Sequence, residues 1–77
     1  MTIQVRFFAS LREQMGLAEK PLTVSVGMTV ADAWKEATGL PEIPANTLMA
    51  VNMEYVDAGQ AIEDGDEIAF FPPVTGG

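Results

Sequence analysis

Apolar and polar residues alternate from Thr2 to Phe7 and Phe8 extends the pattern, with Ile3, Val5 and Phe7 on one face and Gln4, Arg6 and Phe8 on the other. A period of two predicts a half-buried strand whose first set faces a core. The pattern then changes. Over Ala9–Met15, Leu11 and Met15 stand four apart and Gly16 follows where a left-handed cap belongs, so a short helix is predicted. Alternation returns over residues 21–26 through Leu22, Val24 and Val26. With so short a connection between them, the two strands are expected to pair antiparallel.

The clearest helical pattern starts at Thr29, which is placed to cap the amide of Asp32, with Met28 packing inward just before the cap. Val30, Ala33, Trp34 and Ala37 follow at i, i+3, i+4 and i+7, and Gly39 stops the run. Trp34 is expected in the core, since burying a large ring in so small a protein outweighs its use as a surface anchor. Residues 40–46 hold Pro41 and Pro44 and read as an extended loop. Short strands are predicted over residues 47–51 and Glu54–Val56, a turn-rich return over residues 57–66, and a last strand over Glu67–Phe71. Two strands, a capped helix and further strands make an α+β sheet with the helix on one face.

At 77 residues and 48% hydrophobic content the chain has material for one core. No basic start with an apolar stretch suggests a signal peptide, and no apolar run reaches membrane-spanning length, so a cytoplasmic protein is expected. The net charge of −7 would repel phosphate backbones and argues against nucleic acid as a partner. It suits a basic protein surface, or solubility alone. The absence of both Cys and His removes disulfides, a thiolate nucleophile, the usual zinc ligands and the commonest general base. Self-contained catalysis is therefore not expected.

Few groupings remain that carry chemistry. Glu63, Asp64, Asp66 and Glu67 cluster around Gly65, but their spacing is not that of a calcium loop. Asp64 and Gly65 are expected to set a turn, with the other carboxylates solvated and no metal bound. Ser10 and Ser25 have no His to act as base. At the end of the chain, Pro72 and Pro73 remove two backbone donors and bar the sheet from extending past Phe71. Val74 and Thr75 lead to Gly76 and Gly77, whose missing Cβ atoms suit a channel too narrow for side chains. A frayed terminus is the alternative, and the residues alone leave both readings open.

The run from Asp64 to Gly77, with Phe70-Phe71-Pro72-Pro73-Val74-Thr75-Gly76-Gly77 at its end, closely resembles the C-terminus of the molybdopterin synthase small subunits, the MoaD-type sulfur carriers. Residues 7–13 resemble that family's first strand and helix, and residues 50–56 its middle strands. The resemblance implies a ubiquitin-like β-grasp domain over residues 1–72, with a mixed sheet, the first and last strands side by side, and a projecting tail over residues 73–77. It implies that an E1-like partner uses ATP to adenylate Gly77 and that a sulfur donor protein then converts it to a thiocarboxylate, a 1-thioglycine. The large subunit would thread Pro73, Val74, Thr75 and Gly76 and pass the sulfur to a pterin precursor in molybdenum cofactor biosynthesis, within a heterotetramer. No cofactor would be bound by this chain, and the active site would lie on the large subunit. Phe8, Phe71 and Arg12 are assigned to the partner interface, the two rings because alternation turns both away from the core. Other sulfur pathways, such as thiamine thiazole or cysteine synthesis, and a ubiquitin-like protein modifier are the alternatives.

Overall fold

The structure, a computed structural model, describes residues 1–72. Its elements in chain order are β1 (Thr2–Phe7), α1 (Ala9–Met15), β2 (Glu19–Thr23), α2 (Val30–Thr38), β3 (Leu48–Val51), β4 (Glu54–Val56) and β5 (Glu67–Phe71). The strands form one mixed sheet in the order β2-β1-β5-β3-β4. β1 runs parallel to β5 and antiparallel to β2, while β3 is antiparallel to both β4 and β5. The expected α+β arrangement, with first and last strands adjacent, is the one observed.

β2 differs from expectation at both ends. It begins at Glu19, two residues before Pro21, and its ladder to β1 runs to Thr23 beside Thr2, after which Val24 still exchanges backbone hydrogen bonds with Met1 at 2.8 and 3.1 Å. Pro21 is tolerated because β2 is an edge strand, where a missing donor breaks no second ladder. Val24 remains buried, but Val26, expected to continue the alternation, is 87% exposed in the turn that follows. Gly27 there takes φ +93°, and the Met28 amide donates to the Ser25 carbonyl at 3.4 Å.

α2 forms as its sequence dictates. The Asp32 amide donates to Thr29 Oγ1 at 3.4 Å, while the Thr29 amide donates back to Asp32 Oδ2 at 2.9 Å, completing a capping box. Other amides at this end find carbonyls in the return loop: Val30 donates to Gln60 and Ala31 to Ala58, each at 3.0 Å. At the far end Gly39 adopts φ +76° and its amide donates to the Lys35 carbonyl. The helix turns Val30, Ala33, Trp34 and Ala37 onto the sheet, where Trp34 meets Phe7 and Phe70 edge-on with centroids at 6.0 and 5.0 Å. Phe7 and Phe70 stack on each other at 5.8 Å, and Ile3, Val5 and Ile68 complete the centre. Leu11 of α1 closes one end of this cluster.

The Thr29 amide and hydroxyl hold the Asp32 carboxyl below the usual aspartate range. A depressed folded pKa adds stability above the unfolded value, and that stability is lost as pH falls through the folded value. Thr29→Ala should cost about 1 kcal/mol, a fall of roughly 4–8 °C in Tm. Because it also removes one donor to the carboxylate, Asp32 should titrate closer to an ordinary aspartate, which carboxyl NMR across the acid range measures.

Candidate functional site

The face of the sheet away from α2 carries the candidate site. Phe8 lies one residue past β1, as the N-cap of α1, yet its φ of −121° and ψ of 153° keep the extended alternation and turn the ring outward. Phe71, the last residue of β5, points the same way. The two rings stack with centroids 4.6 Å apart and planes inclined by 13°, and Phe8 remains 37% exposed. The pair expected from alternation is therefore together on the outer face.

Strand register builds the rest. One row across the sheet reads Tyr55, Ala50, Ala69, Arg6, Glu19, each residue the partner of the next. Two alanines in the middle, between long side chains at the ends, leave a depression of about 300 Å3. Its floor is Ala50 and Ala69, and its walls include Tyr55, Met53, Phe8 and Phe71, with Arg6 and Glu67 on the rim. Tyr55 is 74% exposed, with its ring 6.4 Å from that of Phe71. Sequence reasoning found the two phenylalanines and missed this setting. Alternation along β4 was the available signal for Tyr55, whereas the alanine floor depends on a cross-strand register that no local pattern shows.

Electrostatics on this face are mild. Arg6 reaches Glu19 with Nε at 3.6 Å and Glu67 with Nη1 at 3.4 Å, and its guanidinium sits 6.0 Å from the Phe8 ring centroid. All three charged groups are about half exposed, so each ion pair contributes at most about 1 kcal/mol. Arg12 is exposed on α1 and makes no ion pair among the described residues. The expected tail residues Pro73, Val74, Thr75, Gly76 and Gly77 lie outside the described residues.

The acidic cluster needs a partial correction. Asp64 and Gly65 do form the turn, and they clamp the start of β1: the Thr2 amide donates to Asp64 Oδ1 and the Gly65 amide to the Thr2 carbonyl, both at 2.8 Å. Asp66, expected to be solvated, instead accepts from Asn52 Nδ2 at 2.9 Å and from the Glu63 amide at 2.7 Å. Glu67 pairs with Arg6. Two of these carboxylates thus cap backbone, and no group of three or more His, Cys, Asp or Glu among the described residues has the geometry to hold a metal ion. A larger depression of about 430 Å3 is lined by Val51, Asn52, Glu54, Gln60, Glu63 and Asp66, among others.

A nine-residue helix packed on a five-stranded mixed sheet, with the last strand parallel to the first at its centre, defines a ubiquitin-like β-grasp protein. The chain belongs to the ThiS family, whose profile matches residues 5–77. The Escherichia coli molybdopterin synthase sulfur carrier subunit is 38% identical to it over 81 aligned positions, which cover 97% of this chain and 99% of the relative. The crystal structure of SAMP1 from Haloferax volcanii is similar over the whole of both chains, with 29% identity and a TM-score of 0.84. Similar too, over the whole of both chains at 26% identity and a TM-score of 0.66, is a chain from the complex of subunits 1 and 2 of the Helicobacter pylori molybdopterin-converting factor. The resemblance first carried by residues 7–13, 50–56 and 64–77 therefore holds along the length of the chain.

Asp66→Ala leaves the Asn52 side chain and the Glu63 amide without their acceptor. Both bonds are exposed, so water can replace the lost acceptor, and the urea midpoint should fall, with m unchanged, by the equivalent of about 0.5–1.5 kcal/mol. A solvated surface carboxylate would instead change stability by less than about 0.5 kcal/mol.

Proposed function

We propose that this chain is the sulfur-carrier subunit of a molybdopterin synthase and works in the cytoplasm. An E1-like partner adenylates the carboxylate of Gly77 with ATP, a sulfur donor protein converts it to the thiocarboxylate, and the large subunit receives the tail and transfers its sulfur to a pterin precursor. The observation that carries this reading is the placement of Phe71. It ends the central strand β5 and stands at the lip of the apolar depression. The residues leading to Gly77 therefore follow directly from a surface suited to gripping a partner. The E. coli sulfur carrier supports the role, and the H. pylori complex supports a large-subunit partner.

The chemistry explains why a carrier of this kind manages without cysteine. A carboxylate is a poor electrophile until one oxygen becomes a leaving group, which adenylation provides, and the resulting thiocarboxylate presents sulfur as a nucleophile. Base, nucleotide site and pterin site then belong to the partners. The tail residues Pro73, Val74, Thr75 and Gly76 would thread the partner's channel, with Gly76 keeping it clear of side chains.

A second reading, a ubiquitin-like modifier joined to lysines of other proteins, is favoured by the likeness to SAMP1, a small archaeal modifier protein. A ladder of conjugates on a denaturing gel would select it. Carriers for other sulfur pathways share the terminal chemistry and differ in which large partner accepts the sulfur.

Adding one residue after Gly77 moves the reactive carbon and puts an amide where the adenylate must form, while the folded domain loses no contact. Gly76→Leu should fail for a steric reason. Both variants are expected to fold, to gain no sulfur by intact mass when given the E1-like partner, ATP and a sulfur source, and to support no pterin dithiolene formation with the large subunit. Full product from the extended chain, shown by mass to be unprocessed, would reduce the tail to a docking peptide.

Replacing Phe8 and Phe71 together with Ser should weaken binding to the large subunit by about 100-fold or more, as loss of a central aromatic cluster does. Thermal stability should be nearly unchanged. A large fall in Tm with binding intact would place the rings in the protein's own core.

A further inference from the structure

The β3–β4 hairpin closes through a two-residue loop, since Val51 pairs with Glu54, and both loop residues are left-handed. Asn52 has φ +50° and Met53 φ +71°. This geometry matches the twist of the strands, and its second position ordinarily falls to glycine. Asn52 has a structural reason to be there. Its amide donates to the Glu67 carbonyl at 2.8 Å, its Oδ1 accepts from the Glu67 amide at 3.0 Å, and its Nδ2 donates to Asp66, which ties the hairpin to the start of β5.

Met53 has no comparable reason. A residue with a Cβ is sterically penalised in the left-handed region, and at 92% exposure the side chain recovers nothing by burial. Strain held at an exposed apolar residue points to a use outside the fold. Its place supplies one, because Met53 lines the same depression as Tyr55, Phe8 and Phe71. A flexible, polarisable thioether is suited to conforming to another protein's surface.

We propose that Met53 is a docking residue that extends the apolar face of Phe8, Tyr55 and Phe71, and that it is buried against the synthase large subunit when that subunit takes up the C-terminal residues. The inference rests on the function proposed above. Continuity selects the occupant: the depression runs from Met53 at the hairpin to Phe71, where β5 ends and the chain passes on towards Gly77. A partner that holds both the domain and the tail has to cross it. Charge argues against a second copy, since two chains of net charge −7 repel, and the carboxylate of Glu54 beside the hairpin favours a basic partner.

The test uses the full chain and the large subunit, with Kd measured by calorimetry and Tm measured on the free chain. Met53→Gly should keep or raise Tm, because it relieves the strained position, and should weaken binding about tenfold. Met53→Leu keeps a similar apolar volume and should bind within about twofold of the unaltered protein. Binding by Met53→Gly as tight as that of the unaltered chain would overturn the proposal and leave the function above intact. Failure of the unaltered chain itself to bind the large subunit would overturn both. A lower Tm for Met53→Gly would make the methionine structural, and an unaltered dimer that this substitution dissociates would make the occupant a second copy; either result overturns the proposal.

Discussion

The parallel pairing of β1 with β5 is the constraint on which the other features depend. It joins the first strand of the chain to the last, from Gln4 beside Glu67 to Phe7 beside Phe70, and so closes a loop of most of the molecule. Loop closure on this scale costs entropy that grows only slowly with length, and here burial of aromatic surface offsets it. Phe7 and Phe70 are brought into a stack by the pairing, and Trp34 of α2 seals that stack from above. The turn at Asp64 and Gly65 clamps the other end, holding both the amide and the carbonyl of Thr2. Core, helix position and the point at which the chain leaves the sheet all follow from this junction.

The same pairing gives the sheet two unlike faces. The inner face is filled with large residues that meet α2, and the outer face has alanines at its centre. Ala50 and Ala69 are nearly buried although no helix covers them, because the longer side chains of the neighbouring rows overhang them. The result is a shallow apolar surface whose shape is set by backbone register. Its few ion pairs are half exposed and contribute little, so the surface should persist over a wide range of salt concentration.

The carrier role proposed above needs a rigid grip and a reactive end that are joined without interfering with each other. β5 meets this need because its centre is locked between two strands while its last residue already belongs to the outer surface. Pro72, which follows, has no backbone amide to donate to a further rung of the ladder. The titratable group whose pKa departs clearly from its ordinary value, Asp32, is a helix cap remote in role from the docking face.

Much of the architecture was legible because it is local. The period of two in β1, the i, i+3, i+4 stripe and Thr29 cap of α2, and the stop at Gly39 each arise from residues within one or two turns of each other. The outward direction of Phe8 and Phe71 followed from alternation, and the Gly-Gly end from composition, so the elements of the proposed site could be named before any fold was known. Other features needed the tertiary structure. The exposure of Val26 depends on the turn that takes the chain off the sheet after Val24, the last residue of this segment to bond to the N-terminal strand. The capping role of Asp66 depends on Asn52, 14 residues away. The alanine floor and the strained Met53 at its edge depend on which residues face one another across three strands. Period and capping are properties of neighbouring residues and can be read along the chain, whereas register and strand order are settled by competition among distant pairings, which only the folded core decides.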